Sequence, residues 1–161
     1  MKQTGCIGCG KMAGAIISAI KNEYKVVGSE FNEEFAKAAS NKLGIEVYSD
    51  NKKLASESDI IFIATKPNQE IAVLEEIKNV ITAEKLVVSI CAGVTIQKIE
   101  KVIENARVIR VMPNTPALVK LGMFGICAGT KATEKDVKFI ENLLSQIGKC
   151  IRVTEPQMDI V

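Results

Sequence analysis

The sequence predicts an α/β fold built on a doubly wound, mostly parallel sheet. Short apolar segments alternate along the chain with amphipathic helical segments, which is the order of right-handed βαβ units. The segment Asp59–Ala64 is apolar without alternation, as is typical of a strand covered on both faces. A glycine-rich turn joins the first predicted strand, Gln3–Ile7, to the first predicted helix, Ala13–Lys21. These three observations together favour a central parallel sheet with helices on both sides.

The remaining elements follow from periodicity and from capping residues. Asn32 is predicted to cap a second helix whose inner face carries Phe35, Ala39 and Leu43, and Gly44 is predicted to end it. The other predicted strands are Lys25–Ser29, Ile45–Tyr48, Leu86–Ile90, Arg107–Met112, Met123–Ala128 and Lys149–Val153. The other predicted helices begin at Asp50, Pro67, Thr95 and Thr133.

Composition sets the broad class. The chain has 161 residues, 47% of them hydrophobic and 25% charged, with a formal net charge of +2, which predicts one soluble domain without a polyanion-binding surface. No apolar run reaches the length of a membrane span, so we expect no membrane partner and a cytoplasmic protein. The chain has no histidine, which excludes Ser-His and Cys-His catalytic pairs.

The five cysteines are odd in number and scattered, so buried free thiols are expected rather than a disulfide framework. Cys6 and Cys9 form a C-x-x-C pattern, but no second pair completes a metal-ligand set. We therefore predict no metal site.

The glycine-rich turn predicts a nucleotide site. Gly8 permits a tight bend, and Gly10 lets the backbone approach a pyrophosphate because it has no Cβ. The first amides of the following helix have no intrahelical acceptor and favour an anion. Glu30 ends the next strand 22 positions after Gly8, the place of a ribose-binding acid. These features predict a Rossmann-like domain that binds a dinucleotide.

A parallel sheet binds ligands beyond the carboxyl ends of its strands. The segments at those ends are Gly8–Met12, Ser29–Asn32, Thr65–Asn68, Cys91–Val94 and Met112–Ala117. We predict that they share one edge of the sheet.

Four of these stretches resemble the pyrroline-5-carboxylate reductase family. They are Ile7-Gly-Cys-Gly-Lys-Met-Ala13, Thr65-Lys-Pro67, Ser89-Ile-Cys-Ala-Gly-Val94 and Arg110-Val-Met-Pro-Asn-Thr-Pro-Ala117. The resemblance implies hydride transfer from a nicotinamide to the C=N carbon of 1-pyrroline-5-carboxylate, giving L-proline. The cofactor carries the hydride, so the protein contributes positioning and electrostatics.

The glycine turn and the resemblance together assign cofactor-binding residues. They are Gly8, Cys9, Gly10, Lys11, Met12, Ser29, Glu30, Ala64, Thr65, Lys66, Pro67, Ala92, Gly93 and Asn114. Asn114 and Thr115 are the candidates for orienting the nicotinamide or the substrate, and no catalytic group is assigned. The expected cofactor is NAD(P)H. We predict a preference for NADH, because Glu30 suits ribose hydroxyls and Gly28–Phe35 offers no cation for a 2′-phosphate.

The resemblance also bears on domain organisation. We predict a dinucleotide-binding domain over residues 1–153, with residues 154–161 beginning a linker or helix. Members of the family continue into a helical dimerisation domain that completes the imine pocket, so we expect little activity from residues 1–161 alone. A homo-oligomer is expected only with that further domain.

Two other functions remain open from the sequence. A non-catalytic NAD(P)-binding module fits the glycine turn without any reaction. A methyltransferase using S-adenosylmethionine also has glycines after its first strand and an acid after its second. The methyltransferase hypothesis gives no account of Lys66-Pro67 or of Met112–Ala117.

Overall fold

The computed structural model describes residues 2–160, which form one eight-stranded sheet with helices on both faces. The strands are β1 (Gln3–Ile7), β2 (Lys25–Ser29), β3 (Glu46–Tyr48), β4 (Ile60–Ile63), β5 (Leu86–Ser89), β6 (Arg107–Met112), β7 (Gly122–Ala128) and β8 (Gly148–Arg152). The α-helices are α1 (Lys11–Ile20), α2 (Glu33–Leu43), α3 (Asn51–Glu57), α4 (Glu70–Ile77), α5 (Ile96–Val102) and α6 (Glu134–Leu144). Short 3₁₀ helices cover Pro67–Gln69, Lys78–Val80, Thr115–Val119 and Glu155–Ile160.

The strand order is β3-β2-β1-β4-β5-β6-β7-β8. The first six strands, β1 to β6, pair in parallel with their neighbours in this order. Strand β7 runs antiparallel to β6, and β8 runs parallel to β7. The predicted fold class, a doubly wound and mostly parallel Rossmann-like sheet, is confirmed. The order reverses at β1, which lies between β2 and β4, so the glycine turn that follows β1 lies at the switch point of the sheet.

Two separate apolar cores cover the faces of the sheet. On one face α1, α2 and α6 pack against residues such as Phe62 and Val88. On the other face α3, α4 and α5 pack against residues such as Ile61 and Val87. Consecutive residues of β4 and β5 therefore face opposite cores, which accounts for their continuous apolar sequence.

Capping side chains start four of the helices as the sequence predicts. Asn32, Thr95 and Thr133 each accept a hydrogen bond from the backbone amide three residues later. Asp50 accepts from the amides of Lys52 and Lys53. These caps fix where the chain enters each helix after leaving the sheet.

The predicted inner face of α2 is wrong at Phe35. Ala36 and Leu43 are the buried residues of α2, whereas Phe35 is 51% exposed and packs against Phe31 on the outside. The prediction holds at Leu43, but the first turn of a helix capped at Asn32 presents position 36, not 35, to the sheet.

No helix within residues 2–160 is long and apolar enough to cross a membrane.

Candidate cofactor-binding site

The glycine turn after β1 is held between the ends of β2 and β4. The Gly8 amide donates to the Ser29 carbonyl over 3.0 Å, and the Ala64 amide donates to the Ile7 carbonyl over 2.9 Å. Gly8 has φ of +91°, and a Cβ there would lie 2.7 Å from the Ala64 carbonyl oxygen. The bend therefore requires glycine for conformation and for space.

The start of α1 differs from that of α2 and α3, because no side chain caps it. Gly10 is the N-cap with φ of −74° and ψ of −165°, and the first turn carries no acidic residue. A Cβ on Gly10 would meet no protein atom within 4 Å, so its empty side opens onto the surface. The first amides of α1 are thus directed at open space, where an anion is favoured by their free N–H groups and by the helix dipole.

The turn forms one wall of a cavity of about 690 Å³. The cavity runs from the glycine turn along the ends of β2 and β4 to one side of α4. Its lining residues are Ile7, Gly8, Cys9, Gly10, Ser29, Glu30, Phe31, Asn51, Ala64, Thr65, Lys66, Asn68, Gln69, Ala72, Val73 and Glu76. The size and the mixed apolar and polar walls suit an elongated small molecule.

Eight of the predicted cofactor residues meet in this cavity: Gly8, Cys9, Gly10, Ser29, Glu30, Ala64, Thr65 and Lys66. The structure brings them together from three strand ends, as expected for the carboxyl edge of a parallel sheet.

Polar side chains on this wall are joined to one another and to the turn. Glu30 Oε1 accepts from the Cys9 amide over 2.8 Å. The buried Ser29 hydroxyl donates to Asn51 Oδ1 over 2.7 Å, and Asn51 Nδ2 donates to Glu76 Oε2 over 3.2 Å. The acid after β2 is therefore fixed beside the turn, while the Ser29 hydroxyl is already engaged with Asn51.

The two cysteines nearest the turn are poor nucleophiles. Burial, reinforced by the Glu30 carboxylate, raises the pKa of Cys9 to about 12. Burial also raises the pKa of Cys6 well above its ordinary value. Both thiols therefore stay protonated near neutral pH. All five cysteines are free thiols; Cys6 and Cys91 are buried as expected, whereas Cys9, Cys127 and Cys150 are only partly buried.

The remaining predicted cofactor residues do not line this cavity. They are Lys11, Met12, Pro67, Ala92, Gly93 and Asn114. Lys11 lines a second groove beside α1, and Gly93 lines a third cavity next to Arg110. Asn114 Oδ1 accepts from the Met123 amide over 3.0 Å, so this side chain ties the β6–β7 connection together. Thr115 is exposed and begins the 3₁₀ helix that follows.

Eight residues that line the cavity were not among the predicted site residues: Ile7, Phe31, Asn51, Asn68, Gln69, Ala72, Val73 and Glu76. Asn51 and Glu76 lie on α3 and α4, and Phe31 follows Glu30 directly. Phe31 could have been predicted, because it lies in the segment that directly follows β2. Asn51 and Glu76 reach the cavity only through the packing of two helices, which no local pattern predicts.

A buried polar cluster lies next to the cavity, on the face covered by α4. Glu70 is completely buried at the start of α4, and Arg110 is 3% exposed on β6. Both Glu70 carboxylate oxygens, Arg110 Nε and Nη2, and Thr65 Oγ1 find no hydrogen-bond partner among the described residues. Burial raises the pKa of Glu70, and neighbouring Ser89 and Arg110 offset part of the rise. No local sequence pattern predicts a buried acid at this place.

Comparison with known proteins decides the family. The family model described as NADP oxidoreductase coenzyme F420-dependent matches residues 3–93, more than half of the chain. The chain belongs to this family. The match runs from β1 through the glycine turn to Gly93, and so it includes every residue that lines the cavity.

Individual proteins resemble almost the whole chain, beyond the residues that the family model matches. The pyrroline-5-carboxylate reductase of Methanosarcina acetivorans is 40% identical over 166 residues, covering 99% of this chain and 62% of that protein. The solved structure of a pyrroline-5-carboxylate reductase from Coxiella burnetii has a TM-score of 0.90 at 30% identity, covering 98% of this chain and 61% of the other. The Plasmodium falciparum pyrroline carboxylate reductase, solved with NADP bound, has a TM-score of 0.85 at 30% identity, with coverage of 99% and 60%.

The resemblance that the four sequence stretches indicate is thereby confirmed. The chain spans about 60% of the length of the relatives that it matches.

Proposed function

We propose that this chain is the cofactor-binding part of a pyrroline-5-carboxylate reductase, in which NAD(P)H reduces 1-pyrroline-5-carboxylate to L-proline. The observation that carries the proposal is the uncapped start of α1 at Gly10, which opens into the cavity beside Glu30. The names of the matched relatives support the choice of reaction.

The residues present fit a dinucleotide. The free amides at the start of α1 would hold the pyrophosphate, and the absence of a Cβ on Gly10 leaves the close approach that this contact needs. Glu30 would accept from ribose hydroxyls, and Thr65 and Lys66 would border the nicotinamide half. When bound, the cofactor supplies the hydride, and this chain binds and orients it.

Charge along the cavity supports a preference for NADH. The lining carboxylates Glu30 and Glu76 lie on the wall beyond β2, where a 2′-phosphate would meet negative charge. The cation of the lining, Lys66, follows β4. We propose NADH as the better ligand on this basis.

The remaining assignments complete the proposal. Residues 1–153 form the dinucleotide-binding domain, and residues 154–161 lead toward the part of the relatives that this chain does not match. Ala92 and Gly93 would flank the nicotinamide half, and Asn114 and Thr115 would orient the nicotinamide or the substrate. The protein acts in the cytoplasm, and it is a homo-oligomer when that part is present.

Binding is tested by titrating purified residues 1–161 with NADH, NADPH and S-adenosylmethionine and following ligand fluorescence or heat. We expect saturable binding of a reduced nicotinamide dinucleotide and none of S-adenosylmethionine. Binding of S-adenosylmethionine alone would refute the proposal in favour of a methyltransferase.

Activity is tested with pyrroline-5-carboxylate and reduced cofactor, comparing residues 1–161 with a chimera that appends the unmatched carboxyl-terminal part of the Methanosarcina relative. Hydride transfer needs reacting atoms roughly 3 to 3.5 Å apart, and a misplacement of about 1 Å costs on the order of a hundredfold in rate. We expect turnover from the chimera and little from residues 1–161. Equal kcat/KM values would refute this division of labour, and an inactive chimera that binds NADH would favour a non-catalytic module.

A further inference from the structure

An exposed aromatic pair stands at one end of the cavity. Phe31 is 76% exposed and Phe35 is 51% exposed, and their ring centroids are 4.8 Å apart with an interplanar angle of 35°. Phe31 lines the cavity that begins at the glycine turn. A phenylalanine ring left largely in water forgoes much of the free energy that its burial supplies. The two rings together form an apolar surface that continues directly into the nucleotide cavity.

The order of groups along the cavity wall matches the order within an adenosine diphosphate. The phosphate position is the start of α1 at Gly10, and next to it Glu30 accepts from the Cys9 amide over 2.8 Å. Phe31 follows Glu30 in the chain and continues the same wall. Phosphate, ribose and base are likewise consecutive, so the group that reaches Phe31 is the base.

We propose that Phe31, backed by Phe35, is the platform on which the adenine of the dinucleotide stacks. The proposal rests on the proposed function, since it takes NADH or NADPH as the occupant of the cavity. Adenine is a flat base whose faces stack on aromatic side chains without needing a hydrogen-bond partner there. Because both cofactors carry adenine, Phe31 contributes to affinity and leaves the choice between them to Glu30.

A purely architectural role is the competing explanation. Phe31 precedes the Asn32 cap, and an apolar residue at that position often packs on the first turn of the helix to fix its entry. Replacement by leucine keeps an apolar contact with Phe35 and removes the aromatic face. Phe31→Tyr keeps the aromatic face. The two variants therefore separate stacking from helix entry.

The experiment measures dissociation constants of NADH and of reduced nicotinamide mononucleotide, which lacks the adenosine half. We expect Phe31→Leu to weaken NADH binding about tenfold, a loss typical of one base–aromatic stack, and to leave the mononucleotide unchanged. Phe31→Tyr should bind NADH as the wild type does. Leu121→Ala is the matched control, because Leu121 is equally exposed, at 75%, and does not line this cavity.

A second measurement reports the contact itself. Nuclear Overhauser effects between the adenine H2 and H8 protons and phenylalanine ring protons should appear on adding NADH and disappear in folded Phe31→Leu. If Phe31→Leu binds NADH and the mononucleotide as the wild type does, the platform is refuted and the cofactor assignment stands. If the folded wild type binds neither NADH nor NADPH, both proposals fail.

Discussion

The Glu30 carboxylate accepts a hydrogen bond from the Cys9 amide, with 2.8 Å between Oε1 and N. This contact fixes a negative charge beside the glycine turn, at the place where the ribose of a bound dinucleotide would lie. In the proposed complex the same side chain would bind the Cys9 amide and face the 2′ position of the ribose.

Replacing Glu30 by glutamine is expected to narrow the preference for NADH. Glutamine retains an acceptor for the Cys9 amide and removes the charge that opposes a 2′-phosphate. One charge at about 4 Å is worth roughly 1 kcal/mol even in water, so the ratio of the two dissociation constants should shift toward NADPH by about fivefold. Glu33→Gln, an exposed acid in the first turn of α2, is the control. An unchanged ratio in Glu30→Gln would show that this carboxylate does not face the 2′ position.

Substitutions at the two glycines of the turn should have different effects. Gly8→Ala places a Cβ 2.7 Å from the Ala64 carbonyl oxygen at φ of +91°, so the variant should lose about 1 to 3 kcal/mol of stability. Gly10→Val has open space around its Cβ and a φ of −74°, so it should fold normally and lose dinucleotide binding. Thermal unfolding and NADH titration of both variants check this. If folded Gly10→Val binds NADH as the wild type does, the pyrophosphate does not bind at this turn.

Glu70 should make stability depend on pH. Burial raises its pKa in the folded chain, so folding favours the protonated carboxyl. That contribution is fully present below the unfolded pKa and is lost as pH rises through the folded pKa. Glu70→Gln should therefore match the wild type near pH 4 and exceed it near pH 8 by about 1 kcal/mol, or roughly 2 to 4 °C in Tm.

Glu75→Gln on the same helix is the control for Glu70→Gln, because Glu75 is half exposed and paired with Lys78. If Glu70→Gln is instead less stable than the wild type near pH 8, the carboxylate is ionised and paired with Arg110.

The ion pair between Arg110 and Glu155 should anchor the carboxyl-terminal segment to the domain. Arg110 Nη1 lies 3.2 Å from Glu155 Oε1, and the same oxygen accepts from the Ile96 amide over 2.6 Å. Glu155→Ala leaves a buried guanidinium without its partner, and so it should cost about 3 kcal/mol or more. Glu134→Ala, which removes an exposed partner of Arg152, should change stability little. Equal losses in urea unfolding would mean that the segment after β8 is not part of the cooperative unit.

Local patterns predicted most of the fold. The bounds of β1, β2 and β6 agree with the structure, and the caps at Asn32 and Asp50 act as expected. These features depend on nearest neighbours and on hydrogen-bonding side chains, which the sequence displays directly. Strand β7 is antiparallel to β6, and the connection between them contains no crossover helix. The sequence shows this connection, but the direction of β7 was not predicted from it.

The errors arise where tertiary packing overrides local pattern. Phe35 was placed inside because its spacing from Ala39 and Leu43 suits one helix face, and it lies outside against Phe31. No prediction covered Glu70, which is completely buried. The helix expected from Pro67 begins as a 3₁₀ turn and becomes α-helical only at Glu70. Of the site, the turn and the strand ends were predicted, whereas Asn51 and Glu76 depend on how α3 and α4 pack.

The place of β1 between β2 and β4 also determines when the site can form during folding. The turn is closed by a bond from Gly8 to Ser29 and by a bond between Ile7 and Ala64, partners that are far apart in the chain. Such contacts require large loops to close before they stabilise anything, so they form slowly compared with the helices. We therefore expect the cavity to form late in folding and, during synthesis, only after β4 has emerged. A ligand that binds it should slow unfolding while leaving the folding rate nearly unchanged.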